Sequence, residues 1–184
     1  MFTMRIPIIS NRHIHLSQAD ADVLFGENYI FTAPKELSQP QYAYNETVTI
    51  TGTKGSLHKI RVLPCRNETQ IEVSLTDTFA LGISAPIRIS GDLDTPGLTV
   101  VGPQGEVQLS RGVIVAQRHL HISPSQAKEL LVDKQTIKIK VSGSRALVFD
   151  EVSVRVNERY ALDCHIDTDE ANAGALSMAF EIVI

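Results

Sequence analysis

The chain has no tryptophan, only two cysteines, and just 5% aromatic residues among its 184 positions. Cys65 and Cys164 do not make a disulfide framework, and no Cys-x-x-Cys spacing offers a thiolate metal site. A reducing compartment is the simplest setting. Positive charge is not in excess: the formal net charge is −4, which removes any general electrostatic case for binding nucleic acid. No apolar run approaches the ~18 residues of a membrane span. The opening segment Met1–Ser10 has a short apolar stretch but no long apolar region or small-residue cleavage site, so it does not read as a signal peptide. No glycine-rich phosphate loop of the P-loop kind is present. These absences give the expectation of a soluble cytoplasmic protein. Its length suits one large or two small domains with a core that needs no covalent staple.

What is present is a duplicated histidine pattern. Ser10-Asn-Arg-His-Ile-His-Leu-Ser17 and Ala116-Gln-Arg-His-Leu-His-Ile-Ser123 share Arg-His-x-His, an aliphatic residue and Ser. The chain has six histidines, and His13, His15, His119 and His121 lie in these two copies. On an extended strand, residues i and i+2 point to one face, so each His-x-His aims two imidazoles at one point. Neutral imidazole is the commonest protein metal ligand near pH 7, and zinc takes nitrogen donors readily.

The surrounding pattern is mostly β. Glu46–Thr51, Thr69–Ser74, Ile137–Val141 and Glu151–Val156 alternate apolar and polar residues, as half-buried strands do. Gly52/Gly55 and Gly102/Gly105 mark hairpin turns, and Gly143-Ser144 a third. Helices are short and few. Ser17–Phe25 opens on a good N-cap with an acidic first turn, and Ser123-Pro-Ser opens another helix reaching Leu131. Each follows a His-x-His segment, so the repeated unit is strand, His-x-His, N-cap Ser, short helix. This reads as a mainly β protein of two related halves, built as small β-barrels with short capping helices. Ile30–Gln41 and Ser90–Gly97 read as loops.

Two histidines do not complete a zinc site, which takes three or four ligands. His165 is a candidate third ligand, in the polar segment Ala161–Glu170, which could form a catalytic loop. Glu72 is another, pointing away from Ile71 and Val73 on its strand. The competing reading is an inherited structural duplication whose histidines bond backbone carbonyls. Arg12 and Arg118 precede the histidine pairs and by alternation face away from His13 and His119. These two, Arg66 and Arg88 are all candidates for holding an anion, since guanidinium matches phosphate bidentately. Cys65, Cys164 and His58 read as inert or surface residues.

The motifs, taken in order, resemble those of the PduL-type phosphate acyltransferases (phosphotransacylases). The resemblance runs from about Ile6 to about Ala173. It rests on Ser-Asn-Arg-His-Ile-His-Leu-Ser, Thr-Gln-Ile-Glu-Val-Ser-Leu-Thr-Asp, Leu-Gly-Ile with Ala-Pro-Ile-Arg, Ala-Gln-Arg-His-Leu-His, and His-Ile-Asp-Thr-Asp-Glu-Ala-Asn. The resemblance implies an enzyme with two Zn²⁺ per chain that transfers an acyl group between coenzyme A and inorganic phosphate. It implies two β-barrels, residues 1–11 with 117–184 and residues 12–116. His13, His15 and Glu72 are implied as the first zinc site, which also meets the coenzyme A sulfur. His119, His121 and His165 are implied as the second, with water or phosphate in its open positions. Arg66 matches the family's essential arginine. The implied partners are acyl-CoA, phosphate and a second copy of the chain in a homodimer, with no nucleic acid or membrane. No N-terminal extension of the kind that directs some members into microcompartments is evident, so a free cytoplasmic enzyme is expected.

Two other classes share these residues. One is a zinc hydrolase using metal-bound hydroxide, which would consume thioester or phosphoester without a phosphate acceptor. The other is a non-catalytic module in which both zincs are fully ligated. The acyl group and the coenzyme A contacts are not legible in the sequence.

Overall fold

A computed structural model describes residues 3–6, 9–32, 35–37, 42–130, 135–175 and 180–183. In chain order the first elements are β1 (Thr3–Ile6), β2 (Ile9–Ser10), β3 (His13–His15), α1 (Gln18–Phe25), β4 (Lys35–Glu36), β5 (Tyr42–Ala43), β6 (Thr47–Thr51) and β7 (Ser56–Leu63). Next come β8 (Gln70–Val73), α2 (Leu75–Leu81), β9 (Ile87–Arg88), β10 (Thr99–Val101), β11 (Glu106–Gln108) and β12 (Val113–Ala116). The remainder is β13 (His119–Ile122), α3 (Pro124–Glu129), β14 (Thr136–Val141), β15 (Leu147–Val156), β16 (Asp163–Asp167), α4 (Thr168–Ala173) and β17 (Phe180–Val183). The protein is mainly β, with few and short helices, as its alternating pattern requires. Among the described residues no helix is long and apolar enough to cross a membrane.

The chain separates into two compact units, one built from Met1–Asn11 with Gln117–Ile184 and the other from Arg12–Leu37 with Gln41–Ala116. In the second, eight strands form one curled, half-barrel sheet in the order β11-β10-β6-β7-β3-β8-β12-β9. Its core includes Ile14, Leu24, Ile50, Ile60, Ile71 and Leu81, all fully buried. In the other unit five strands pair in the order β14-β15-β13-β16-β2, over a core of Leu120, Ile122, Ile139, Val152, Cys164 and Ile166. β1 pairs antiparallel with β17 in the same unit.

Both units run through the same series: His-x-His strand, helix, hairpin, third strand, helix. β3 lies between parallel β7 and antiparallel β8, and β13 lies between parallel β15 and antiparallel β16. Even an irregularity recurs. The β6–β7 and β14–β15 hairpins each shift register, and each carries one non-glycine residue at positive φ, Lys59 at 59° and Glu151 at 53°. Bulges are where such a conformation is tolerated.

The glycine turns dock onto helix ends. Gly52 N–H donates to Gly55 O, and Lys54 N–H donates to Leu81 O at the C-terminus of α2, at 3.0 Å. A Cβ on Gly52 would lie 2.2 Å from that same Leu81 oxygen, so close approach demands glycine here. Gln104 N–H likewise reaches Leu24 O at the end of α1.

Three sequence expectations need amendment. The polar run from Ala161 to Glu170 is not a loop: most of it is β16 and the start of α4. Asp167 and Glu170 cap that helix, with Asp167 as N-cap accepting from Glu170 N–H. A second helix, α2, follows β8, and the strand pattern concealed it. Ile30–Gln41, read as a loop, contains β4, while residues 33–34 and 38–41 lie outside those described, as does Leu131.

Candidate metal centres

The first site is built on the β3–β8 ladder. His13 lies directly opposite Glu72 and His15 opposite Gln70. Alternation sends Ile14 and Ile71 into the core and leaves His13, His15, Gln70 and Glu72 on the other face. The His13, His15 and Glu72 ligand atoms all lie within 4.8 Å of one another. His13 Nε2 is 3.6 Å from Glu72 Oε2. His15 Nδ1 is 2.9 Å from the Pro64 carbonyl oxygen. A carbonyl can only accept, so Nδ1 carries the proton and Nε2 keeps its lone pair for a metal ion.

Electrostatics favour the ligand forms. Burial, then the Arg66 and His13 charges, push His15 down to about 4, so its imidazole is neutral at pH 7. Burial raises the Glu72 carboxyl, but His13, a hydrogen bond from Ser90, His15 and Arg66 outweigh it and hold it below the ordinary carboxylate value. Glu72 is thus an anion although it is buried.

Arg66 stands beside this site. Its backbone N–H donates to Leu16 O. Its Nη1 donates to Gln70 Oε1 and to Ser90 Oγ, both at 2.9 Å, and lies 4.0 Å from Glu72 Oε1. Ser90 Oγ–H donates to Glu72 Oε1, while Gly91 N–H donates to Gln70 Oε1 and Gln70 Nε2 to Asp92 O. A polar network from the Ser90–Asp92 loop therefore orients both the cation and the carboxylate. Sequence reasoning missed Gln70 and Ser90. The signal for Gln70 was present in the alternation, since it shares the face of Glu72. Ser90 carried no such signal.

The second site repeats the design on β13 and β16. His119 lies opposite His165, and His121 opposite Asp163. Leu120 and Cys164 turn into the core. Ligand atoms of His119, His121 and His165 also lie within 4.8 Å of one another. The His119 and His165 rings stack at 4.8 Å, and Tyr160 stacks on His121 at 4.2 Å. His119 Nδ1–H donates to Gln117 O at 2.9 Å, which again leaves the Nε2 lone pair for a metal ion. Asp163 is 1% exposed and its Oδ2 lies 3.8 Å from His165 Nε2. Burial, then His119 and Arg155, push His121 down to about 3.

His121 supplies the test of fit. It is 8% exposed, and among the described residues neither of its ring nitrogens has a hydrogen-bond partner. A buried imidazole left in that state costs free energy unless something else takes its lone pair. Three converging nitrogen donors suit a borderline metal such as zinc, and the residues fit.

The other residues singled out from the sequence fall elsewhere. Arg12 pairs with Asp77 at 3.1 Å and Arg118 with Glu170, so both hold carboxylates of this chain. Arg88 pairs with Asp92 at 3.3 Å. Cys65 is exposed and Cys164 buried, and burial raises both thiols above the ordinary value. His58 is exposed and shares a hydrogen bond with Thr49.

Comparison with known proteins shows the family of the chain. A sequence model of phosphate propanoyltransferases matches residues 7–177. A phosphate propanoyltransferase of Thermotoga maritima is 53% identical over 174 residues, covering 92% of this chain and 83% of that protein. Its counterpart in Clostridioides difficile is 52% identical over 168 residues, covering 89% and 80%. One from Rhodopseudomonas palustris is 53% identical over 169 residues, covering 90% and 75%. The match spans both His-x-His strands, Glu72, His165 and Arg66, and the chain belongs to the phosphate propanoyltransferase family.

Proposed function

We propose that this protein reversibly transfers a short acyl group between coenzyme A and inorganic phosphate, with zinc held in both histidine sites. The observation that carries the reading is the pairing of two three-ligand sites with one anchored guanidinium, Arg66, at the first. The family match over residues 7–177 supports the class of reaction. In this reading His13, His15 and Glu72 hold one zinc within a domain of residues 12–116. His119, His121 and His165 hold the other, within a domain of residues 1–11 and 117–184. Three protein donors per ion leave a coordination position for a substrate.

The reaction joins a phosphate oxygen to the thioester carbonyl carbon and breaks the carbon–sulfur bond, releasing acyl phosphate and coenzyme A thiolate. Zinc bound at these sites supplies Lewis acidity toward sulfur and phosphate oxygen. Arg66 supplies a fixed positive charge for the phosphate or for the oxyanion that develops on the attacked carbonyl. Gln70 and Ser90 hold that guanidinium in place before substrate arrives, so little reorganisation is needed. Glu72 and the neutral His15 keep the first site ready for a cation at pH 7. The phosphate oxygen is itself the nucleophile, so no protein nucleophile is required. A homodimer is part of the same reading.

The experiment is thiol release from acetyl-CoA and propanoyl-CoA by zinc-loaded protein, with and without inorganic phosphate. Release that depends on phosphate is expected, and the ratio of the two rates defines the acyl preference. Equal release without phosphate would point to a hydrolase and overturn the proposal.

A further inference from the structure

Both His-x-His segments are preceded by an arginine, and neither arginine takes part in the reaction proposed above. Arg12 Nη2 lies 3.1 Å from Asp77 Oδ1, and Arg118 Nη1 lies 2.5 Å from Glu170 Oε1. The two acids hold the same place in the fold. Each is the N3 residue of the helix that follows the third-ligand strand, α2 after β8 and α4 after β16. Each also divides its oxygens in the same way. Asp77 Oδ2 accepts the Ser74 N–H that caps α2, which leaves Oδ1 for Arg12. Glu170 Oε2 accepts the Asp167 N–H that caps α4, which leaves Oε1 for Arg118.

The position of these pairs gives them a purpose. Arg12 adjoins His13, and Asp77 begins the helix entered just after Glu72. Arg118 adjoins His119, and Glu170 begins the helix entered just after His165. Each ion pair therefore joins the strand that carries two ligands to the far end of the strand that carries the third. The β ladder sets the register. A charge-assisted bond to a carboxylate that is already fixed by a helix cap adds a side-chain tie where the two-ligand strand begins and the third-ligand strand ends. Asp77 is 5% exposed and Glu170 19%, against 38% for Arg12 and 29% for Arg118, so each pair is partly screened and its buried end is the carboxylate.

We propose that Arg12–Asp77 and Arg118–Glu170 are matched latches that hold each set of three ligands at metal-binding spacing. Arg12, Asp77, Arg118 and Glu170 are positioning residues: they set metal affinity site by site and touch neither metal nor substrate. This inference rests on the reading of the two histidine sites as metal centres.

The test is Zn²⁺ affinity by competition with a chromophoric chelator, alongside the melting temperature. The imidazole resonances of His13, His15, His119, His121 and His165 identify which site responds. Arg12→Ala should weaken one of the two zinc equivalents by about 10- to 100-fold, the range for groups that orient metal ligands, and leave the other unchanged. Asp77→Asn keeps an oxygen for the helix cap but removes the charge, and should weaken the same equivalent. The double variant should be no weaker than the worse single variant, and Arg12→Lys should recover part of the loss. Arg118→Ala and Glu170→Gln should move only the second site, and they carry the test if an Arg12 variant fails to fold. Unchanged affinity in these variants would overturn the latch. So would equal weakening of both sites in step with the melting temperature, which would mark the pairs as fold supports only. Failure of the wild type to bind zinc would instead overturn the metal-centre reading beneath it.

Discussion

Replacing Arg66 with alanine separates the chemistry from the metal. The change removes two hydrogen bonds, to Gln70 and Ser90, and a charge 4.0 Å from Glu72 Oε1. Each hydrogen bond is worth about 1 kcal/mol net. The charge pair is worth at most about 4 kcal/mol at an effective dielectric constant near 20. Because the Arg66 side chain is 34% exposed, screening reduces that to roughly 1 kcal/mol. The stability cost is then about 2–3 kcal/mol. None of the six side chains proposed as metal ligands is altered. Loss of the Arg66 charge also raises His15 from about 4 toward its ordinary value, but not far enough to protonate it at pH 7. Zinc content should therefore stay near that of the wild type. Activity should fall far more, by about 10²–10³, as when one oriented donor to a developing oxyanion is removed. The assay is phosphate-dependent thiol release from propanoyl-CoA, with elemental analysis of the same samples. Loss of zinc in parallel with activity, or a decrease in activity below about tenfold, would refute the reasoning.

Three further outcomes follow from the same geometry. Ser90→Ala removes the hydroxyl that donates to Glu72 and accepts from Arg66, so zinc affinity at the first site should fall by about tenfold in chelator competition. The metal-free protein should show His15 titrating near pH 4 by imidazole NMR. Its native state takes up this proton later than the unfolded chain, whose histidine titrates near 6.5. Stability therefore falls as pH drops from 6.5 to 4, by at most about 3 kcal/mol relative to His15→Gln in urea unfolding. Gly52→Ala drives a Cβ to 2.2 Å from Leu81 O and should cost about 1–3 kcal/mol by urea midpoint, because the turn must lift off α2.

Much of this fold was legible because period-2 alternation and turn glycines are local signals. β6 and β14 alternate buried and more exposed positions as the sequence required, and Gly52, Gly102 and Gly143 all lie in turns. The duplicated Arg-His-x-His announced two related halves, and cross-strand register then brought His13 to Glu72 and His119 to His165. Register is a long-range property, so spacing alone left open which residue would join each histidine pair. α2 and α4 were hidden because each begins only three residues after a strand residue that carries a side chain of the site, Leu75 after Glu72 and Thr168 after His165. Their capping boxes, Ser74 with Asp77 and Asp167 with Glu170, are local sequence signals of these helix starts. Ser90 could not have been found. It reaches Arg66 and Glu72 only because the loop after β9 folds back onto Gln70.

The most direct test of the account is the zinc content of the purified protein by elemental analysis, compared with Glu72→Ala and His165→Ala. The account predicts two zinc ions per chain, one in each variant, and no acyl phosphate formed by either variant from propanoyl-CoA and phosphate. A wild type that forms acyl phosphate without bound metal, or variants that keep both ions, would contradict it.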